Sequence, residues 1–164
     1  MCGIADTYMF NSVSMAKYIV ARANQEHIGI NMTKLQKLLY IAYGASLTIL
    51  NKRLVDEHPQ AWPYGPVFPT TRNKLKGMEF SAITMDDAAI AEIKETQEVQ
   101  QLITFVFEGF GRWYAHDLST WSHQTGSPWD KTVHSDNFKW GRQISDDDIK
   151  DYFDRIIVRK ENKQ

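Results

Sequence analysis

The sequence is poor in the residues and patterns that mark disulfide-linked, secreted and membrane-spanning proteins. It has one cysteine, Cys2, among 164 residues, which excludes an intrachain disulfide framework and any zinc site built from cysteines. The longest apolar stretch, residues 38–50, is shorter than the ~20 residues that a membrane-spanning helix needs. The N-terminus also lacks the features of a secretory signal. We therefore expect a cytoplasmic protein with a single domain over residues 1–164.

Patterns that indicate catalysis or metal binding are equally scarce. The five histidines are scattered and show no metal-ligand spacing, and the nine glycines form no phosphate-binding loop. The aspartates at 86–87 and 146–148 open predicted helices, where the helix dipole favours negative charge without a bound ion. A formal net charge of −1 gives no overall electrostatic reason to expect a nucleic acid or a membrane as partner. The sequence predicts no catalytic residue, no metal site and no cofactor.

One N-terminal pattern supplies an enzymatic alternative. Met1-Cys2-Gly3-Ile4 resembles the start of glutamine amidotransferases, in which removal of the methionine exposes a cysteine nucleophile. The later substrate-binding motifs of that family are absent from the sequence, and the predicted helices disagree with its α/β sandwich. An N-terminal-cysteine hydrolase is therefore the weaker hypothesis.

The spacing of apolar residues predicts a mainly α fold. We expect a compact single-domain helical bundle with a small β-hairpin or ribbon and a proline-rich ordered loop. Ser12 is the predicted N-cap of the first helix. Further helices are predicted at residues 33–50, 70–76, 84–93, 99–110, 117–122 and 145–157.

The strongest helix signal covers residues 33–50. Thr33 and Gln36 form a capping-box pattern, in which each side chain satisfies a free backbone N–H of the other residue. Apolar residues then recur at helical spacing over about five turns, and Lys34 and Lys37 lie mostly off that apolar face.

Residues 52–69 lose the helical period because they contain Pro59, Pro63, Pro66 and Pro69, each of which lacks a backbone N–H. Most of this stretch is predicted to be an ordered loop held by its aromatic residues. Residues 54–55 are predicted as a short edge strand. Side-chain character alternates weakly over residues 80–84, so this segment is the candidate partner of that strand.

The five tryptophans either pin loops onto the core or anchor an interface. Trp62 and Tyr64 lie on the proline-stiffened loop and would lose little entropy on binding, which makes them candidate contacts for a partner protein. A core position is the favoured alternative for Trp62. Arg72 and Lys74, in a small basic patch on the next helix, complete the predicted partner-binding set. His123 ends a short helix and is expected to bond a backbone carbonyl.

Three segments together resemble the Panacea domain of SocA-like or GepA-like phage-associated proteins. Residues 33–40 (TKLQKLLY) resemble its helix motif, and residues 61–67 (AWPYGPV) resemble its proline-rich loop. A third motif of leucine, threonine-histidine and proline-tryptophan is matched between residues 118 and 129, although Ser122 stands where threonine is common. The motifs keep the family's order within a resemblance that covers about residues 13–157. The motif positions, which we expect to be structural, are Leu35, Gln36, Lys37, Leu38, Tyr40, Gly65, Pro66, Leu118, His123, Pro128 and Trp129.

The resemblance implies the antitoxin of a two-gene toxin–antitoxin system, which neutralises a cognate protein toxin by direct binding. One branch of the family acts instead as a proteolytic adaptor that delivers its toxin to a AAA+ protease. Many members carry an added DNA-binding domain, for which this sequence has no room outside the motifs. We therefore expect no direct DNA binding and no catalytic activity.

Overall fold

The fold is mainly α, as the apolar spacing predicts. The computed structural model describes residues 7–162, and the side chains of residues 7–157. Helices make up 59% of the structure. Their bounds are α1 Ser12–Gln25, α2 Met32–Ile49, α3 Pro69–Leu75, α4 Ala91–Lys94, α5 Gln97–Phe110, α6 Ala115–Ser122, α7 Pro128–Val133 and α8 Asp146–Asn162, with short 3-10 helices at Phe80–Ala82 and Ala88–Ile90.

Two pairs of short strands complete the fold within the described residues. β1 (Tyr8–Phe10) lies parallel to β2 (Arg53–Val55). β3 (Gln60–Trp62) and β4 (Gly65–Val67) form an antiparallel hairpin, so the center of the predicted proline-rich loop is a hairpin.

The predicted pairing of residues 54–55 with residues 80–84 is wrong. Residues 80–82 form a 3-10 helix instead of a strand. The Asn24 side-chain amide donates to the carbonyl oxygens of Phe80 and Ile83, each at 2.8 Å, which holds this segment against α1. The partner of β2 comes from the N-terminal residues, where no alternating pattern marks a strand.

Helix α2 lies at the center of the molecule. Every residue from 34 to 47 is buried, because α1, α5, α6, α8 and the strands β2 and β4 pack around it. Lys34 and Lys37 are therefore buried, which corrects the prediction that they lie off the buried face. At Gly44 the missing side chain leaves room for the Phe153 ring of α8, which occupies the place of a Cβ atom.

Two of the predicted helix caps are wrong by one or two residues. Asn11, rather than Ser12, caps α1 and accepts hydrogen bonds from the backbone of Val13 and Ser14. Asn31 caps α2 by accepting from Lys34 N at 2.9 Å, so Thr33 and Gln36 do not form a capping box. In both cases asparagine, a strong N-cap residue, stands just before the predicted cap.

The N-terminus of α8 agrees with its prediction. Ser145 Oγ accepts from Asp148 N at 3.3 Å, and three aspartates occupy the first turn. Within residues 7–162, no helix is both long and apolar enough to cross a bilayer.

Candidate functional site

The β3–β4 hairpin is built around a two-residue turn, Pro63-Tyr64, between Trp62 and Gly65. Gly65 has a φ of +116°, which L side chains rarely adopt. A Cβ atom at Gly65 would also lie 2.6 Å from Ser122 Oγ and 2.8 Å from Lys37 Cε. Both the backbone and the close packing therefore require glycine at this position.

Side chains from three helices hold the hairpin by its backbone. Four of its carbonyl oxygens each lie within hydrogen-bond distance of a side chain from α2, from α6, from His123 directly after α6, or from α7. The pairs are Trp129 Nε1 to Trp62 O (2.7 Å), His123 Nε2 to Pro63 O (3.0 Å), Ser119 Oγ to Tyr64 O (2.8 Å) and Lys37 Nζ to Pro66 O (3.1 Å). We call this arrangement, the hairpin with its four donors, the hairpin clamp. It joins all three sequence motifs.

His123 lies between two carbonyl oxygens, as expected for a residue at a helix end. Its Nδ1 is 2.5 Å from Ser119 O and its Nε2 is 3.0 Å from Pro63 O. A neutral imidazole carries one N–H and donates to one of these oxygens, whereas the protonated ring donates to both. The ring also packs edge-on against Trp129, with centroids 4.3 Å apart. These contacts make His123 a structural connection between α6, α7 and the hairpin.

Two motif residues of α2 secure the β4 side of the hairpin. Gln36 accepts from Phe68 N at 2.7 Å and donates to Phe68 O at 3.4 Å. Its side-chain amide thus bonds both backbone groups of Phe68, as the backbone of a paired strand would. Lys37 is 2% exposed, and burial lowers the pKa of its amine to about 8. On the other side of the hairpin, Ala61 N donates to Arg142 O at 2.8 Å.

The remaining motif residues belong to the core or to helix starts. Tyr40 is buried and packs edge-on against Phe153, with centroids 5.8 Å apart. Pro128 is buried at the first turn of α7, where its missing N–H costs nothing. The fully buried motif residues are Leu35, Leu38 and Leu118.

The structure brings together only part of the predicted partner-binding set. The Arg72 guanidinium lies over the Trp62 ring, 5.5 Å from its centroid, and Trp62 is half-buried. Tyr64 is 78% exposed at the hairpin turn, and Lys74 is exposed on α3. No hydrogen bond, ion pair or ring contact of the described residues connects the Tyr64 or Lys74 side chain to the Trp62–Arg72 pair.

A second feature, which no sequence pattern predicts, is a row of three surface depressions that share lining residues. The first, of about 350 Å³, lies between residues 30–32 and the end of α3. The second, of about 270 Å³, shares Ile30 and Asn31 with the first and is also lined by Lys34. The third, of about 540 Å³, shares Tyr114 with the second and runs along α6. We call these three sections the trough. Its residues come from distant parts of the chain, so no local pattern reveals it.

The trough carries an excess of positive charge. Four cations line it, with Asp117 the one carboxylate among the lining residues. The four cations are Lys34, Arg72, Lys76 and Arg112. In the described part of the chain, none of them has a carboxylate oxygen within the 4.0 Å that defines an ion pair.

A buried polar network that the sequence did not predict lies at the start of α8. The Tyr43 hydroxyl lies 2.5 Å from Asp146 Oδ1, to which it donates, and 3.2 Å from His58 Nδ1. Arg53 Nη1 lies 2.6 Å from His58 Nε2. Burial, followed by the hydrogen bond and charge of Asp146, raises the pKa of Tyr43, so the phenol keeps its proton. The network ties α2, β2 and α8 together.

Other candidate chemistry is limited in the part of the chain that the structure covers. There, no three His, Cys, Asp or Glu side chains are grouped to hold a metal ion. Cys2, the nucleophile of the hydrolase hypothesis, lies outside the described residues.

Comparison with known proteins places this geometry in a family. Residues 35–130 match the family model described as "Antitoxin SocA-like, Panacea domain", and this range contains the hairpin and all the motif residues. Over 159 residues the chain is 31% identical to Antitoxin SocA of Caulobacter vibrioides (strain NA1000 / CB15N), an alignment that covers 90% of this chain and 85% of that protein. No solved structure matches the chain significantly. The chain belongs to the SocA-like antitoxin family with a Panacea domain.

Proposed function

We propose that this protein is the antitoxin of a toxin–antitoxin system and that it neutralises a protein toxin by binding it directly. The observation that carries the proposal is the near full-length similarity to a protein named Antitoxin SocA. The family model covers the same motifs and supports the same role. Such a protein acts in the cytoplasm, together with its toxin.

The roles of the motif residues also favour binding over catalysis. The motif residues Lys37, His123 and Trp129, together with Ser119 of α6, direct their polar atoms at backbone carbonyls of the hairpin. Gln36 does the same at Phe68. These residues hold a surface in shape, which is what a protein-binding module requires because a preorganised surface loses less entropy on binding.

Co-expression tests the proposal. Each gene adjacent to that of this protein is expressed from an inducible promoter, alone and together with this protein. We expect one neighbour to arrest growth alone, growth to resume with this protein, and the two proteins to copurify. A neighbour that is harmless alone, or that remains toxic in the presence of this protein, contradicts the proposal.

The half-life of the toxin distinguishes direct neutralisation from delivery to a protease. Direct binding predicts a stable toxin in a stable complex, with an interface of about 1,600 Å² as in ordinary stable pairs. An adaptor predicts faster loss of the toxin when this protein is present, and recovery of the toxin when the AAA+ protease is removed.

Replacement of Cys2 distinguishes a binding protein from an N-terminal-cysteine hydrolase. Neutralisation by the Cys2→Ala variant should equal that of the wild type. Loss of neutralisation with unchanged protein level would favour the enzyme.

A further inference from the structure

We propose that the trough is the docking site for an acidic segment of the partner protein, in which Asp or Glu residues stand beside apolar ones. This inference rests on the proposed function, since the partner is the toxin that the protein neutralises. It adds to that function the surface used and the chemistry that the surface recognises.

The charges of the trough are the first argument. Lys34, Arg72, Lys76 and Arg112 line it without an ion-pair partner among the described residues. Some cations elsewhere in the described structure do have partners, such as Lys17 with Asp87 at 3.4 Å. The whole chain carries a net charge of −1, so this local excess of cations is not a property of the whole composition. Unpaired cations attract a segment of opposite charge and exclude segments of like charge.

Lys34 is the second argument. The residue is only 6% exposed, and within the described structure its amine makes no hydrogen bond or ion pair, although the amine nitrogen keeps some contact with solvent. Burial, followed by the like charge of Arg112, lowers the pKa of its amine. A cation that is largely shielded from water and has no partner costs free energy. A carboxylate of the toxin in the middle section of the trough would reduce that cost, since no carboxylate is among the described residues that line this section.

The apolar lining is the third argument, and it favours a protein over a nucleic acid. Met78, Trp113 and Tyr114 are exposed along the trough, with Tyr114 at 80%. Tryptophan and tyrosine are enriched at the centers of protein interfaces, and methionine adapts to varied apolar side chains. The first section is lined mainly by the apolar Ile30, Met32 and Leu75, and Phe80 is the one aromatic ring among its lining residues, so it offers bases little to stack on.

Cross-linking and charge reversal test the proposal on the purified complex with the toxin that co-expression identifies. A zero-length carbodiimide reagent joins amines to carboxylates that are in contact. We expect cross-links from Lys34 or Lys76 to an Asp or Glu of the toxin. Arg112→Glu and Lys76→Glu change exposed side chains, and each is expected to weaken the Kd about tenfold or more.

Lys131→Glu is the matched control. Lys131 is an exposed cation of α7 without an ion pair among the described residues, and it lines no section of the trough. Its reversal should change the Kd less than twofold. Replacing the cross-linked toxin carboxylate by lysine should restore much of the affinity of Arg112→Glu or Lys76→Glu, which an effect on folding alone would not do.

Three results would overturn the proposal. Neutralisation by the wild type with an unchanged Kd for both reversals would reject the trough but leave the antitoxin function standing. Cross-links that map only outside the trough would do the same. Binding of a labelled 20-nucleotide RNA that both reversals weaken, with toxin binding unchanged, would make the occupant a nucleic acid. Failure of the wild type to neutralise any neighbour rejects the proposed function itself.

Discussion

The hairpin clamp and the trough use polar side chains in opposite ways. In the clamp, a polar side-chain atom of each of four residues lies within 3.1 Å of a carbonyl oxygen of the hairpin: Lys37, Ser119, His123 and Trp129. In the trough, four cations have no carboxylate partner among the described residues. A region whose polar groups bond to other groups of the same protein stabilises the fold. A region with charges left over is suited to a partner.

This difference explains why the sequence motifs identify the family without locating its binding surface. Motif residues such as Lys37 and His123 form the clamp, so they describe how the hairpin is held. The trough is lined by Lys34 of α2 and by residues that no motif includes, such as Arg112 and Tyr114. Four predictions test this division, and they are ordered by the size of their effect on stability.

Gly65→Ala should have the largest effect. Alanine at a φ of +116° would be strained, and its Cβ would overlap Ser122 Oγ and Lys37 Cε in the clamp. Strain and overpacking together should lower the free energy of unfolding by about 3 kcal/mol or more. Gly77→Ala, beside the trough, is the control: its φ is +84°, but a Cβ there meets no atom within 4 Å. Its cost should be about 1 kcal/mol. Urea denaturation measures both, and equal losses would contradict the close packing of the clamp.

Lys37 should make stability depend on pH. Burial lowers the pKa of its amine to about 8, whereas an unfolded chain keeps a value of about 10.4. Between these values the unfolded state binds more protons, so the free energy of unfolding rises with pH. Relative to Lys37→Met, the wild type should gain about 2 kcal/mol from about pH 7.5 to 9.5.

Comparison with Lys37→Met at each pH cancels the titration of other groups, including the buried tyrosines. Denaturation curves at four or more pH values provide the measurement. A difference that stays flat across this range would show that the Lys37 amine has an ordinary pKa.

Trp129→Phe should cost about 1–2 kcal/mol, because it leaves Trp62 O without its donor while keeping an aromatic ring in place. Trp140→Phe is the control, since Trp140 is 55% exposed and its indole N–H has no hydrogen bond in the described structure. Its effect should stay below about 0.5 kcal/mol. Thermal denaturation gives the melting temperature of each variant. Equal melting temperatures for the two variants would show that the hydrogen bond from Trp129 to Trp62 O does not stabilise the protein.

Tyr114→Ala should have the smallest effect on stability, less than about 0.5 kcal/mol, because the side chain is 80% exposed. It should nevertheless weaken toxin binding. Tyr64→Ala is its counterpart on the clamp, 78% exposed at the hairpin turn. Calorimetric titration with the toxin measures the Kd of each variant and shows which of the two surfaces contributes more to binding. A loss confined to Tyr64→Ala would support the predicted loop contact and count against the trough.

The helices were largely predictable because their signals are local. Apolar spacing indicated α2, α5 and α8, and the aspartates of the first turn marked the start of α8. The cap of α2 was misassigned because Thr33 and Gln36 fit a capping box and Asn31 also fits an N-cap. Gln36 instead bonds the backbone of Phe68, which is 32 positions away, and no local pattern reports such a contact.

The proposed binding surface was less predictable for the same reason. Trp62 and Arg72 were both proposed as contacts from their residue types, and the structure stacks them together. The trough is created where residues 29–34, the end of α3 and the start of α6 meet, so it exists only in the folded chain. The parallel pairing of β1 with β2 is likewise a tertiary contact, and a three-residue strand such as β1 is too short to show a pattern that predicts it.

The hairpin has one further consequence, for aggregation. Its β3 side is paired with the chain before α8, where Ala61 N donates to Arg142 O and Gly141 N donates to Ala61 O. On its β4 side, Lys37 donates to Pro66 O, and directly after the strand the side chain of Gln36 bonds the backbone of Phe68. Unpaired strand edges are the places where a chain adds a foreign strand and begins to form fibrils. With these backbone groups already bonded, the hairpin is a poor template for such growth.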